Sequence, residues 1–196
     1  MKTIISKPMM KVLELFHEDY SRKTHLREIC RKTELNENTV SKILAKLVEE
    51  NFLNYEKRGN LKEYFIKNSK KSSTILSLVD SEKFENLPNI RKKAIRSYLD
   101  SLLEFPLIVI LFGSTAKENF NDNSDIDLFL VVNKKIDDQK AKDSSESQTG
   151  IEINTFQINL EDFELEIKLK KDNLFQTAIK TGYPIENPEL FYQKVI

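Results

Sequence analysis

Apolar residues in the first fifty positions recur at helical spacing. Residues 8–20, PMMKVLELFHEDY, place Met9, Val12, Leu13, Leu15 and Phe16 on one side, which predicts a helix with one buried face. Pro8 suits its first turn. HLREICRKT predicts a second, short helix with Leu26, Ile29 and Cys30 inward. A turn at Leu35-Asn36 follows, with Asn36 placed to cap a third helix over about residues 37–51. Val40, Ile43, Leu44, Leu47 and Val48 form its apolar stripe, and Thr39, Ser41, Lys42 and Lys46 lie off it. FLNYEKRGNLKEYFIK then changes to short runs on either side of Arg58-Gly59-Asn60, the pattern of a β-hairpin turning at glycine. Residues 69–105 read as mostly helical, with a break at Leu87-Pro88. After it Ile90, Ala94, Ile95, Tyr98, Leu99 and Leu102 recur at helical spacing.

The texture changes after Phe105-Pro106. LIVILF, IDLFLVV and IEINTFQI are β-branched runs of strand length. KKIDDQKAKDSSESQTG, between the second and third, is polar and reads as a flexible loop or a weak helix. DNLFQTAIKTG predicts a helix ended by Gly182. The expected fold class is α+β, in three parts. Residues 1–68 form a small helical domain with a hairpin, residues 69–105 a helical connector, and residues 106–196 a domain with a small mixed sheet.

Charge sharpens this division. The chain of 196 residues has no net charge. Residues 1–70 nevertheless hold 15 Lys/Arg against 10 Asp/Glu, and residues 71–196 hold 16 against 21. A basic first part and an acidic second part point to different partners. Cys30 is the single cysteine, which excludes an intrachain disulfide, and with only His17 and His25 beside it a Cys/His zinc site is not expected. No apolar stretch approaches the roughly 20 residues of a membrane helix. Lys7, Pro8 and Lys11 interrupt the N-terminal apolar residues, which argues against a signal peptide. A cytoplasmic protein without membrane partners is expected.

The candidate chemistry lies in LFGSTAKENFNDNSDIDLFLVV, residues 111–132. Alternate strand residues share a face, so Asp125 and Asp127 project together, about 6–7 Å apart along the strand, while Ile126, Leu128 and Leu130 face the core. Paired carboxylates repel each other and are costly to desolvate, and a divalent cation offsets both costs. Magnesium favours carboxylate and phosphate oxygens. At Gly113-Ser114 the preceding strand turns with no side chain in the way, so that backbone N–H groups and the serine hydroxyl can approach a phosphate.

Two resemblances follow from these patterns. Helix, helix, turn, helix, hairpin over roughly residues 7–68 resembles the winged helix-turn-helix of MarR-like and archaeal regulators. It implies DNA contacts from Thr39, Ser41, Lys42 and Lys46 on the third helix and from Arg58, Asn60 and Lys62 on the wing. Gly-Ser, ten residues, then Asp-Ile-Asp in an apolar strand resembles the signature of minimal nucleotidyltransferases of the DNA polymerase β superfamily, over residues 105 to about 185. That resemblance implies a small mixed sheet with flanking helices, Mg2+, and a nucleoside triphosphate, usually ATP, whose nucleotidyl group passes to a hydroxyl. It implies metal and catalytic roles for Asp125, Asp127 and a third carboxylate on the following strand. Glu152 is the preferred candidate, with Glu164 and Glu166 as alternatives. Gly113 and Ser114 would hold phosphates. Lys117 is either a further nucleotide-binding group or a solvated lysine.

The expected function is AMP transfer from ATP to a hydroxyl. Relatives resemble antitoxins that modify a tyrosine of a HEPN-type RNase toxin, with DNA binding as autoregulation. Two rival readings are a DNA-binding regulator whose second domain only senses nucleotide or mediates contacts, and a small-molecule adenylyltransferase. The shortness of the C-terminal part argues against the latter.

Overall fold

The computed structural model describes residues 5–196. Residues 1–4, which open both the expected first domain and the stretch read for a signal peptide, lie outside the described residues. The chain divides into two compact units, residues 1–79 with residue 196, and residues 80–195.

The first unit begins with α1 (Lys7–His17), β1 (Thr24–His25), α2 (Leu26–Thr33) and α3 (Glu37–Glu49). Val12, Leu13, Phe16, Ile29, Val40, Leu44 and Leu47 are buried, so each helix spends its apolar stripe on the interior. The Asn36 side chain accepts the Thr39 N–H at 2.9 Å and caps α3 as the sequence predicts. β2 (Leu53–Arg58) and β3 (Leu61–Ile66) form the hairpin, and β1 adds to β3 in an antiparallel sheet of order β1-β3-β2. Gly59 opens the two-residue turn at φ +63, the backbone a tight hairpin demands.

The division between the units falls inside α4 (Lys70–Asn86). Next come α5 (Asn89–Asp100), β4 (Ile108–Phe112), α6 (Gly113–Ala116), β5 (Ile126–Val132), α7 (Gln139–Thr149) and β6 (Ile153–Asn159). The chain ends with α8 (Leu160–Leu169), α9 (Asn173–Thr181), β7 (Tyr183–Glu186) and α10 (Pro188–Val195). The sheet order is β6-β5-β4-β7. Only β5 and β6 run parallel, so the sheet is mixed, as expected.

The sheet has two different faces. Val109, Leu111, Ile126, Leu128, Leu130 and Ile153 share a buried cluster with Ala94, Ile95, Tyr98 and Leu99 of α5 and Ala141 of α7. On the opposite face, edge-to-face aromatic contacts run from Phe112 to Phe156 and Phe129, and from Phe129 through Phe175 to Phe163. Those contacts seat α8 and α9. The polar stretch 134–150, expected as a loop or weak helix, contains the well-formed α7. It packs through Ala141 and Ser145, four residues apart, and the Ser145 hydroxyl donates to the Ala94 carbonyl at 2.9 Å. Small residues make that close approach possible, and a scan for large apolar residues passes over them. α8, β7 and α10 were not anticipated. Gly182 ends α9 as predicted. A Cβ there would lie 2.6 Å from the Leu111 carbonyl oxygen, so glycine also permits the close packing of α9 on β4.

Candidate active site

β4 is buried along its whole length and delivers the chain to Gly113, which turns at φ +71 into α6. β5 lies between β4 and β6, with Asp127 opposite Phe112 on one side and Asn154 on the other. The Asp127 carboxylate rests against the Cα of Gly113. A Cβ on residue 113 would collide with its Oδ2. Glycine is therefore required twice, for the left-handed turn and for the space the carboxylate fills.

Asp125 stands just before β5 and is exposed, while Asp127 is half-buried. The Asn154 amide donates to Asp125 Oδ2 at 3.3 Å. Burial holds the Asp127 carboxyl above the usual carboxylate range. A hydrogen bond from Asn154 opposes this and the Asp125 charge adds to it. Glu152 lies immediately before β6, where continuing the strand register puts it beside Asp125. Its carbonyl accepts the Ile126 N–H at 3.0 Å and its side chain is exposed. Among the described residues no three of His, Cys, Asp and Glu gather closely enough to hold a metal ion. The neighbour that reaches the aspartates is thus an amide, Asn154. Of the alternatives, Glu164 pairs with Lys194 at 2.5 Å, and Glu166 accepts backbone N–H groups of Lys171 and Asp172. Ser114 is half-exposed in α6, and its carbonyl accepts the Asn119 N–H at 3.2 Å. Lys117 is exposed at the C-cap of α6.

Sequence reasoning missed Arg91. This side chain of α5 is 2% exposed. Its Nη1 donates to Thr115 Oγ1 at 2.7 Å and to the Asp125 carbonyl at 3.4 Å, and its Nη2 donates to the carbonyls of Asn121 at 2.9 Å and Ser124 at 2.8 Å. The guanidinium also stacks 4.1 Å from the Phe120 ring centroid. One fork of donors thus ties α6 to the loop that carries Asp125. Burial lowers the Arg91 pKa, and the charges of Asp122 and Asp125 oppose that shift. The signal was present in spacing. Arg91, not Ile90, lies three, four and seven residues before Ala94, Ile95 and Tyr98, and Ile90 is exposed. A scan of apolar residues alone passes over an arginine in a buried stripe.

In the first unit Ser41, Lys42 and Lys46 are exposed on α3, and Thr39 is half-buried next to the cap. Arg58, Asn60 and Lys62 are exposed at the hairpin end. Arg58 lies 3.6 Å from Glu63, and the Lys62 ammonium stacks on Tyr55.

A mixed four-stranded sheet thus carries paired aspartates beside a glycine turn on an α+β domain. Residues 93–185 match the family described as Polymerase beta, Nucleotidyltransferase. The match covers a little under half of the chain and supports a nucleotidyltransferase domain of the polymerase β type over that segment, with nucleotidyl transfer as its general class of activity. No curated protein matches the chain significantly. No helix among the described residues is long and apolar enough to cross a membrane.

Proposed function

We propose that the protein transfers AMP from ATP to a hydroxyl group of a partner protein. The observation that carries this reading is the Asp127 carboxylate. It is pressed against Gly113, withdrawn from water beside Asp125, and has no cationic side chain among the groups that shift its pKa. A carboxylate so placed fits a divalent cation, because the donor set is oxygen-only and its charge is uncompensated. Asp125 and Asp127 would hold Mg2+, which supplies charge neutralisation to the triphosphate. The backbone N–H groups of Gly113 and Ser114 open α6 without intrahelical partners and would donate to phosphate oxygens. Glu152, exposed beside Asp125, would accept the proton of the attacking hydroxyl. The hydroxyl oxygen bonds to the α-phosphorus, the bond to the bridging oxygen breaks, and pyrophosphate leaves. Arg91 is a positioning residue that holds the Asp125 loop on α6.

From the resemblance to antitoxins, the acceptor is a tyrosine of a HEPN-type toxin. The first unit would bind DNA through α3 and the hairpin and couple this activity to expression. The test is incubation with ATP labelled at the α-phosphorus, Mg2+ and co-purified partners. Label should appear on a partner, and it should disappear with Asp125→Ala or Asp127→Ala. A labelled partner that persists with both variants rules out this site.

One observation favours a second reading. Asn154, an amide, lies beside Asp127 and Asp125. A regulator that binds nucleotide without transferring it needs no third carboxylate. It predicts no label on any partner, and DNA affinity that changes on adding ATP.

A further inference from the structure

The two edges of the nucleotidyltransferase sheet differ. β7 has four residues, contains Pro184, and joins β4 through a register shift between Val109 and Ile110. Short length, proline and irregular pairing are devices that keep an edge from accepting another strand. β6 has seven residues, INTFQIN, pairs with β5 in unbroken register, and contains no proline, glycine or lysine. The neighbouring segment does not pair with its backbone. Instead the Gln157 carboxamide accepts the Ile136 N–H and donates to the Ile136 carbonyl, both at 2.9 Å. A cleft of about 1170 Å3 runs along this edge. Phe156, Leu165 and Leu174 line it, and all three are exposed. The lining is also acidic. Lys142 is paired to Asp138 at 3.3 Å, which leaves Lys135 against Asp137, Asp162, Glu166 and Asp172. Asp125 and Asp127 do not line the cleft, but its β6 wall starts one residue after Asn154. Thr155 lines it next to Asn154, and the Phe156 ring packs 5.8 Å from that of Phe112, the residue before Gly113.

We propose that the β6 edge docks an extended segment of the acceptor protein. The segment would alternate basic and apolar residues, add a strand to β6, and present its hydroxyl to Asp125 and Asp127. Main-chain pairing supplies affinity in such strand addition, and pockets for alternate side chains supply specificity. The acidic lining selects lysine or arginine on the segment and disfavours pairing with the same edge of a second copy, which would set carboxylates against carboxylates. The hydroxyl-presenting role rests on the transfer activity proposed above.

The test uses a fluorescein-labelled peptide as long as β6, alternating lysine and valine around a central tyrosine, and the full chain. Anisotropy without nucleotide should show binding. N-methylation of alternate peptide amides, which removes strand pairing and leaves charge unchanged, should weaken it at least about tenfold, as should Leu165→Arg or Leu174→Arg. Equal binding of the N-methylated peptide, or of one with glutamate for lysine, overturns the proposal. So does a homodimer in sedimentation that Leu174→Arg dissociates, since the occupant would then be a second copy. Binding with the expected dependence but without transfer of labelled AMP to the tyrosine supports the docking edge and removes the transfer activity. Transfer indifferent to N-methylation does the reverse.

Discussion

Asp127 and Asp138 are both carboxylates withdrawn from water in the same domain, and the protein treats them in opposite ways. Asp138 is 7% exposed at the N-cap of α7. Burial pushes its pKa up. Hydrogen bonds from Thr155 Oγ1 at 2.7 Å and Tyr98 Oη at 2.8 Å, with the Lys142 ammonium, outweigh burial and hold it below the usual range. Burial and the charge of Asp125 push Asp127 up, and only the Asn154 amide opposes them. A buried carboxylate with a full set of donors is a structural joint, here between α5, α7 and β6. One left short of donors beside a second acid carries a cost that a bound cation would relieve. Burial alone therefore does not decide the ionisation of a carboxylate in this domain; the donors around it do.

Asp127→Asn tests the contrast most severely. AMP transfer should fall on the order of a hundredfold to a thousandfold, the scale of removing one charge-stabilising group. The melting temperature in the absence of metal should rise, because a repelled charge is removed. A drop in melting temperature would show that Asp127 is a structural joint as well. Asp138→Ala should do the opposite. It strands the buried Tyr98 hydroxyl, the half-buried Thr155 hydroxyl and a lysine, so chemical denaturation should show a loss of about 3 kcal/mol. Gly113→Ala forces a side chain into left-handed backbone and into the Asp127 carboxylate, and should abolish detectable transfer. Circular dichroism should still show a folded chain.

The two aspartates also predict opposite pH dependences. The lowered native pKa of Asp138 gives stability that is complete above the unfolded carboxylate value of about 3.9 and is lost as pH falls through the native value. The raised native pKa of Asp127 gives stability that is complete below the unfolded value and is lost as pH rises through the native one. Asp138→Asn should therefore flatten the acid limb of a stability–pH curve, and Asp127→Asn should steepen it. The smallest effect lies in the first unit. Arg58→Ala should leave stability within about 0.5 kcal/mol, and should lower the salt slope of DNA binding by about one if Arg58 meets a phosphate.

Much of this arrangement is legible in the chain. β5 runs over the apolar stretch read for it, and β4 starts one residue inside its own, because uninterrupted β-branched runs have one way to bury themselves. The helices of the first unit follow their stripes within a few residues. Gly113 and the aspartates are found from spacing because strand alternation decides which side chains share a face. Elements held by small or polar residues were harder to see. α7 packs through Ala141 and Ser145, and β7 is a four-residue edge interrupted by Pro184.

What the sequence determined by itself is the local periodicity: which segments bury a face, where glycine permits a turn, and that Asp125 and Asp127 point the same way. The tertiary structure alone decided what stands opposite each of them. Parallel pairing of β5 with β6 sets Asn154 beside Asp127 and leaves Glu152 exposed at the strand start. The packing of α5 brings Arg91 across thirty residues of chain to the carbonyls of Asn121 and Ser124. Periodicity is a property of neighbouring residues, whereas hydrogen-bond partners and desolvation depend on segments distant in sequence. They exist only once the chain has closed on itself.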